Sequence, residues 1–150
     1  MFLFEVMSKL EICDEIISEI GLSHSIDAYK NCIVKEITDR KKYVIEKNVN
    51  KCIKYKSHEL STFEVDLLIQ KKIIIMVNVK NMIYDADVVR LRNYVKRYDF
   101  DYGYFINFSQ IGIQIQKVFH SGDSFYASFW KMSKVRVYLV AFPYQMKTGR

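Results

Sequence analysis

Apolar residues first recur with helical spacing. Val6, Leu10, Cys13, Ile17 and Ile20 follow at steps of 4, 3, 4 and 3, which lays one apolar stripe along a helix. Gly21 stands where such a helix commonly ends in a left-handed residue. Ser25, a good N-cap, and Asp27 in the first turn predict a second helix. Its buried side is Ile26, Tyr29, Ile33 and Ile37, and Asp39-Arg40-Lys41-Lys42 closes it. From Tyr43 the pattern is that of strands. Tyr43 to Val49 and Lys51 to Tyr55 read as two short ones around Asn48 and Asn50. Phe63 to Ile69 and Ile73 to Lys80 are stronger, and Gln70-Lys71-Lys72 between them has hairpin length. Ile73-Ile74-Ile75-Met76-Val77 is apolar on both faces, as a central strand is. A third helix fits Asp85 to Tyr98, with Val88, Leu91, Val95 and Tyr98 inward. Tyr102 to Phe108 follows a helix and is expected to join the sheet in parallel through a crossover. Ile111, Ile113 and Ile115 alternate with Gly112, Gln114 and Gln116, which predicts a half-buried strand. Ser124 to Trp130 and Lys134 to Phe142 read as a last hairpin, with a polar tail from Pro143. The order predicts an α/β fold: a mixed central sheet flanked by helices, with a C-terminal β extension.

Composition narrows the class. The 150 residues contain one proline and five glycines, which leaves no room for a linker or a low-complexity tract. One domain over 1–150 is expected. The longest apolar run, Ile73 to Val77, falls far short of the ~20 residues a bilayer needs. The opening MFLFEVM is short and interrupted by Glu5, so an intracellular rather than secreted protein is expected. Cys13, Cys32 and Cys52 are odd in number, widely spaced and without a CxxC pair. They read as three reduced core thiols rather than a disulfide framework or a zinc site. Abundant Lys, Ile, Tyr and Asn with scarce Pro, Gly and Ala read as a mark of AT-rich coding. The net charge of +6 is unevenly spread. Residues 1–29 hold one Lys against six acids, and the rest holds 22 Lys and Arg against 11 acids. A basic body of this kind attracts polyanions at long range.

The chemistry concentrates on two neighbouring strands. Asp66 lies on one and Lys80 at the end of the next, where residues two apart share one face. A hairpin sets the strands side by side. Acids and a lysine gathered in this way hold Mg²⁺ through hard oxygens and polarise a phosphate and its attacking water.

The stretch FEVDLLIQKKIIIMVNVKNM resembles the GxxExxY-type proteins of the PD-(D/E)XK nuclease superfamily. In those proteins a strand ending Asp-Leu-Leu-Val leads through a hairpin to Val-Glu-Leu-Lys. Asn93-Tyr94-Val95 and Ile106-Asn107-Phe108 are similar to the family's Asn-Tyr-Leu and Ile-Asn-Phe. Ile20-Gly21 to Tyr29 is similar to the segment that names the family, with Tyr29 as its tyrosine. The resemblance covers residues 8–118 and leaves 119–150 as an extension. It implies a restriction-endonuclease-like sheet, with Asp66 and Lys80 as the catalytic remnant and Mg²⁺ held by Asp66 and position 78.

Three departures shape the functional expectation. The family's helical Glu falls on Ile26, its strand Glu on Asn78, and its Gln before Asn-Tyr on Arg90. A divalent ion demands charged oxygens, so weak or lost Mg²⁺ binding and little or no hydrolysis are expected. Glu64, Glu11, Asp14 and Glu15 are the acids that would have to take over the ligand role. His24, His58 and His120 share no motif spacing; His58 lies nearest in sequence to Glu59 and Asp66. With its acids gone, an unopposed Lys80 together with Arg90 and Arg92 is expected to hold a phosphate rather than cut it. Phe125, Tyr126, Phe129, Trp130, Tyr138, Phe142 and Tyr144, mixed with Lys131, Lys134 and Arg136, offer a surface for a protein partner, for a second copy, or for stacked bases. Three functional classes follow. One is an impaired nuclease-fold protein that binds nucleic acid or a partner. Another is a working Mg²⁺-dependent endonuclease with relocated ligands. The last is a structural component, of a virion for example, since the resemblance extends to proteins of large DNA viruses.

Overall fold

The apolar stripes become two helices packed on one face of a sheet. The structure, a computed structural model, describes residues 11–40, 42–110, 112–119, 125–132 and 137–144, the last two segments by backbone alone. Helix α1 spans Glu11–Ile20 and α2 spans Ile26–Arg40. Ile12, Cys13, Ile16 and Ile17 are buried, but Ile20, expected inside, is 36% exposed because the last turn of α1 rotates it outward. Val6 and Leu10 lie outside the described residues. Gly21 takes the left-handed conformation, φ 75°, and its N–H donates to the Ile17 carbonyl at 2.8 Å, closing α1 as expected. Ser25 caps α2: its Oγ accepts the Ala28 N–H at 3.2 Å. Tyr29, Ile33 and Ile37 are fully buried.

The strands are β1 (Ile45–Tyr55), β2 (His58–Ile69), β3 (Ile73–Asn78), β4 (Tyr102–Ser109), β5 (Gly112–Phe119), β6 (Phe125–Met132) and β7 (Val137–Tyr144). They form one sheet in the order β1 to β7. Neighbours run antiparallel except β3 and β4, which are parallel and joined by helix α3 (Asp85–Arg97). Helices cover both faces, as expected. On one, α1 and α2 pack on Leu67, Ile69, Ile75, Ile106 and Ile113. On the other, Val88, Leu91 and Val95 of α3 pack on Val65, Leu68, Ile74 and Phe105. No helix among the described residues is long and apolar enough to cross a membrane.

Several sequence expectations change. The two short strands before Lys56 are one, β1, and its partner β2 begins at His58 rather than Phe63. Lys56 and Ser57 form the tip, both with positive φ (49° and 68°), a turn chemistry that a Lys-Ser pair does not advertise. β5 was expected half-buried, yet Gly112 to Val118 are buried throughout, because helices cover both faces of the sheet there: Ile113 and Ile115 lie with α1 and α2, Val118 with α3. This carries Gln114, Gln116 and Lys117 inside, where the Lys117 ammonium lies 4.7 Å from the Tyr102 ring and 4.5 Å from that of Phe119. Burial lowers its pKa to about 8. Of the thiols only Cys13 is in the core, its pKa pushed up to about 12 by burial; Cys32 and Cys52 are half-buried. Pro143, expected in a tail, lies in β7, an outermost strand where a residue without an N–H is tolerated. The side chains of the aromatic extension, Ile111 and His120 lie outside the described residues.

α3 and β4 approach each other closely at Gly103. A Cβ on Gly103 would stand 2.6 Å from Val95 Cγ2 and 2.8 Å from Leu91 Cδ1. Gly103→Ala is therefore expected to destabilise the fold by about 1–3 kcal/mol through overpacking. Thermal denaturation checks this; an unchanged melting temperature would mean that α3 does not sit so close.

Candidate functional site at the end of strands β3 and β4

The pairing of β2 with β3 stops short, and Asp66 stands at the break. Phe63 and Val65 pack toward α3, whereas Leu67 and Ile69 pack toward α1 and α2, so β2 exchanges faces across Asp66. Its partner β1 does the same. Ile45 packs with Leu67 and Ile69 toward α1 and α2, and Val49 with Phe63 and Val65 toward α3, on either side of Asn48, which takes φ 54°. Pairing between β2 and β3 covers Leu67 to Ile69. Beyond it the Asp66 side chain replaces the ladder: Oδ2 accepts the Val77 N–H at 2.8 Å.

The other carboxylate oxygen meets a cation supplied by the protein. Lys30 on α2 is 5% exposed, and its Nζ lies 3.3 Å from Asp66 Oδ1. The same ammonium donates to Asn48 Oδ1. One lysine thus joins α2, β1 and β2 at the point where both strands switch faces. Lys30 was missed in the sequence. A cation directly after Tyr29, four residues beyond Ile26 and flush with the buried stripe, was the available signal.

Asn78, the last residue of β3, pairs in register with Asn107 of β4. Its Oδ1 accepts the N–H of Val79 at 2.9 Å. The chain then enters a clamp. The Asn107 side chain, fully buried, accepts the Lys80 N–H at 2.7 Å and donates to the Lys80 carbonyl at 3.0 Å. It also donates to Gln114 Oε1, which accepts the Ile83 N–H, both at 3.0 Å. Two buried amides therefore fix the segment that carries Lys80 from the strand into α3.

Lys80 is not unopposed, contrary to the expectation above. Its Nζ lies 2.7 Å from Asp87 Oδ1, and Asp87 Oδ2 accepts the Tyr84 N–H at 3.1 Å. The Asp87 side chain is 1% exposed and doubles as the cap of α3. Arg90 is exposed and Arg92 half-buried farther along α3. Among the described residues Asp66 and Lys80 form no ion pair with each other; each has its own buried partner. The other acids stand apart from Asp66. Glu64 is exposed, and Glu15 pairs with Arg40. His58 is exposed at the hairpin tip opposite Tyr55, and His24 bonds the Ile20 carbonyl. Among the described residues no three His, Cys, Asp or Glu side chains converge as a metal-holding group.

Residues 5–118 match the family model of the PD-(D/E)XK nuclease superfamily. The chain belongs to this superfamily. Its matched part runs from ahead of α1 to the end of β5, so the β6–β7 hairpin lies beyond it. The solved structure described as "Crystal structure of SSO0001" is similar at 13% identity with a TM-score of 0.47, over 65% of this chain and 50% of that one. The chain thus spans about half the length of that relative. No curated protein matches it.

Other residues that carry the PD-(D/E)XK resemblance serve the scaffold. Tyr29 is fully buried, stacks on Phe108 at 4.0 Å, and donates to the Gly21 carbonyl at 3.0 Å. Tyr94 stacks on Phe63 at 3.8 Å. Asn107 is the centre of the clamp.

Breaking a buried pair on one side strands the other charge, at a cost of about 3–5 kcal/mol. Lys30→Met is expected to destabilise by that order. Lys30→Met combined with Asp66→Asn is expected to cost less than Lys30→Met alone, since no buried charge is left over. Denaturant titration of both single variants and the double variant measures the coupling; additive losses would exclude the pair.

Proposed function

We propose that this PD-(D/E)XK protein is of the GxxExxY type, binds nucleic acid, and has lost phosphodiester hydrolysis. The observation that carries this reading is the Lys30–Asp66 ion pair. The superfamily generally uses a divalent metal, and the donor set here does not fit one. Asp66 supplies the carboxylate at the gap, with Glu59 and Glu64 of the same strand exposed, and both its oxygens are engaged, by Val77 N–H and by Lys30. At position 78 the oxygen is a neutral amide turned to Val79. On α2, Ile26 stands where the family has its Glu, and one turn later Lys30 brings a positive charge to the carboxylate. A divalent cation would have to displace an ammonium already seated there, and it would gain too few anionic oxygens in return.

Lys80 supports binding over cutting. It is one-third exposed and its backbone is fixed on both sides by Asn107. Asp87 restrains it, so phosphate contact at this point is modest, and the chain's net charge of +6 supplies the longer-range attraction.

Incubation of the purified protein with plasmid DNA and Mg²⁺ or Mn²⁺ is expected to give no cleavage, and Mn²⁺ to leave the melting temperature unchanged. Metal-dependent cutting that disappears in both Asp66→Ala and Lys80→Ala would overturn the proposal in favour of a working endonuclease. A salt-insensitive oligomer without DNA affinity would instead favour the scaffold role.

A further inference from the structure

The two helical layers differ in charge. Helix α1 carries Glu11, Asp14, Glu15 and Glu19 and no base. In α2 the acids Asp27, Glu36 and Asp39 are matched by Lys30, Lys35 and Arg40. On the opposite face, the last ten residues of α3, Val88 to Arg97, hold Arg90, Arg92, Lys96 and Arg97 and no acid. Its two acids, Asp85 and Asp87, lie in the first turn, and Asp87 is buried against Lys80. Arg90, Asn93, Lys96 and Arg97 are exposed. Arg90, Asn93 and Arg97 recur at steps of three and four, so they share one outward stripe, opposite the buried Val88, Leu91 and Val95. Past the helix end, Lys51 of β1 lies 5.7 Å from the Phe100 ring and carries positive charge on toward the hairpin.

We propose that this outer face of α3 is the nucleic-acid surface, that it takes the backbone of a duplex, and that the strand-end site is peripheral to it. The inference rests on the nucleic-acid reading given above and relocates the contact. Charge decides the class of partner, because Arg90, Lys96 and Arg97 are exposed on a helix stretch whose sequence holds no acid, while α1 is acidic and α2 balanced. Geometry decides duplex over single strand. Single strands are held by free aromatic rings on which bases stack. The aromatic residue within α3, Tyr94, is already stacked on Phe63, and Tyr98 beyond it donates to the Cys52 carbonyl at 3.1 Å. What remains outward is guanidinium and ammonium at spacings of a helix, suited to phosphates. Arg90 to Arg97 spans about 10 Å of helix, about three nucleotide steps along one strand of B-form DNA.

Fluorescence anisotropy with a labelled 20-base-pair duplex, from about 50 to 200 mM salt, tests this. The wild type is expected to bind and to weaken steeply with salt. Arg90→Glu with Arg97→Glu is expected to lose at least tenfold in affinity and to lower the salt slope by about two. Lys35→Glu, on the other helical layer, is expected to bind as the wild type does. Both substituted positions are at the surface, and an unchanged melting curve confirms that the variants are folded. Wild-type binding that survives the α3 reversal overturns this inference and leaves the nucleic-acid reading standing. A wild type that ignores the duplex overturns both. Preference for oligo-dT over the duplex, or α3-dependent binding to anionic phosphatidylserine vesicles without DNA binding, also overturns it.

Discussion

The arrangement of this protein's site depends on one carboxylate in a gap of the sheet. Asp66 stands where β2 and β3 stop pairing, and its two oxygens do different work. One completes the ladder by taking the Val77 N–H; the other meets the Lys30 ammonium. A carboxylate in such a place has to be balanced, because an isolated buried charge is far costlier than a paired one. In a metal-dependent relative a cation from solution provides the balance. Here the chain provides it, from the helix that also carries the buried Tyr29.

That substitution reaches beyond electrostatics. Lys30 also bonds Asn48, whose left-handed backbone lets β1 exchange faces together with β2. The first strand pair is thereby able to present one set of side chains to α1 and α2 and, past the switch, another to α3. The opposite rim is stiffened by Asn107 and Gln114, which satisfy the backbone polar groups of the segment leaving β3. Asp66 and Lys80 are thus each held against a partner of their own, Lys30 for one and Asp87 for the other.

Much of the fold was legible in the chain. Periodicity placed three helices, the apolar run at Ile73 marked the central strand, and a helix before Tyr102 required a parallel crossover. Patterns failed where neighbours decide. Gln114 and Gln116 alternate with isoleucines as a solvated face would, yet they are buried, because they share the face of Val118, which α3 and the segment leading into it cover. The Lys56-Ser57 turn carries no Asn or Gly, so two strands read as shorter and looser than the eleven- and twelve-residue strands they are. The candidate site was half legible. Asp66, Asn78 and Lys80 are tied to one place by strand period and hairpin length. Their partners Lys30 and Asp87 are 36 and 7 residues away in the chain.

The sequence alone determined the local terms: which segments are helix or strand, which strand is central, and that a neutral amide stands at position 78. These follow from side-chain spacing, which is written in order along the chain. Only the tertiary structure decided who neutralises whom. Ion pairs form between groups that folding brings within a few ångströms, and linear distance carries no record of that. So Lys30 reads as one more lysine on a helix until α2 packs over the gap at Asp66, and the basic stripe of α3 stands out only once the acidic α1 and the balanced α2 are seen on the other side of the sheet.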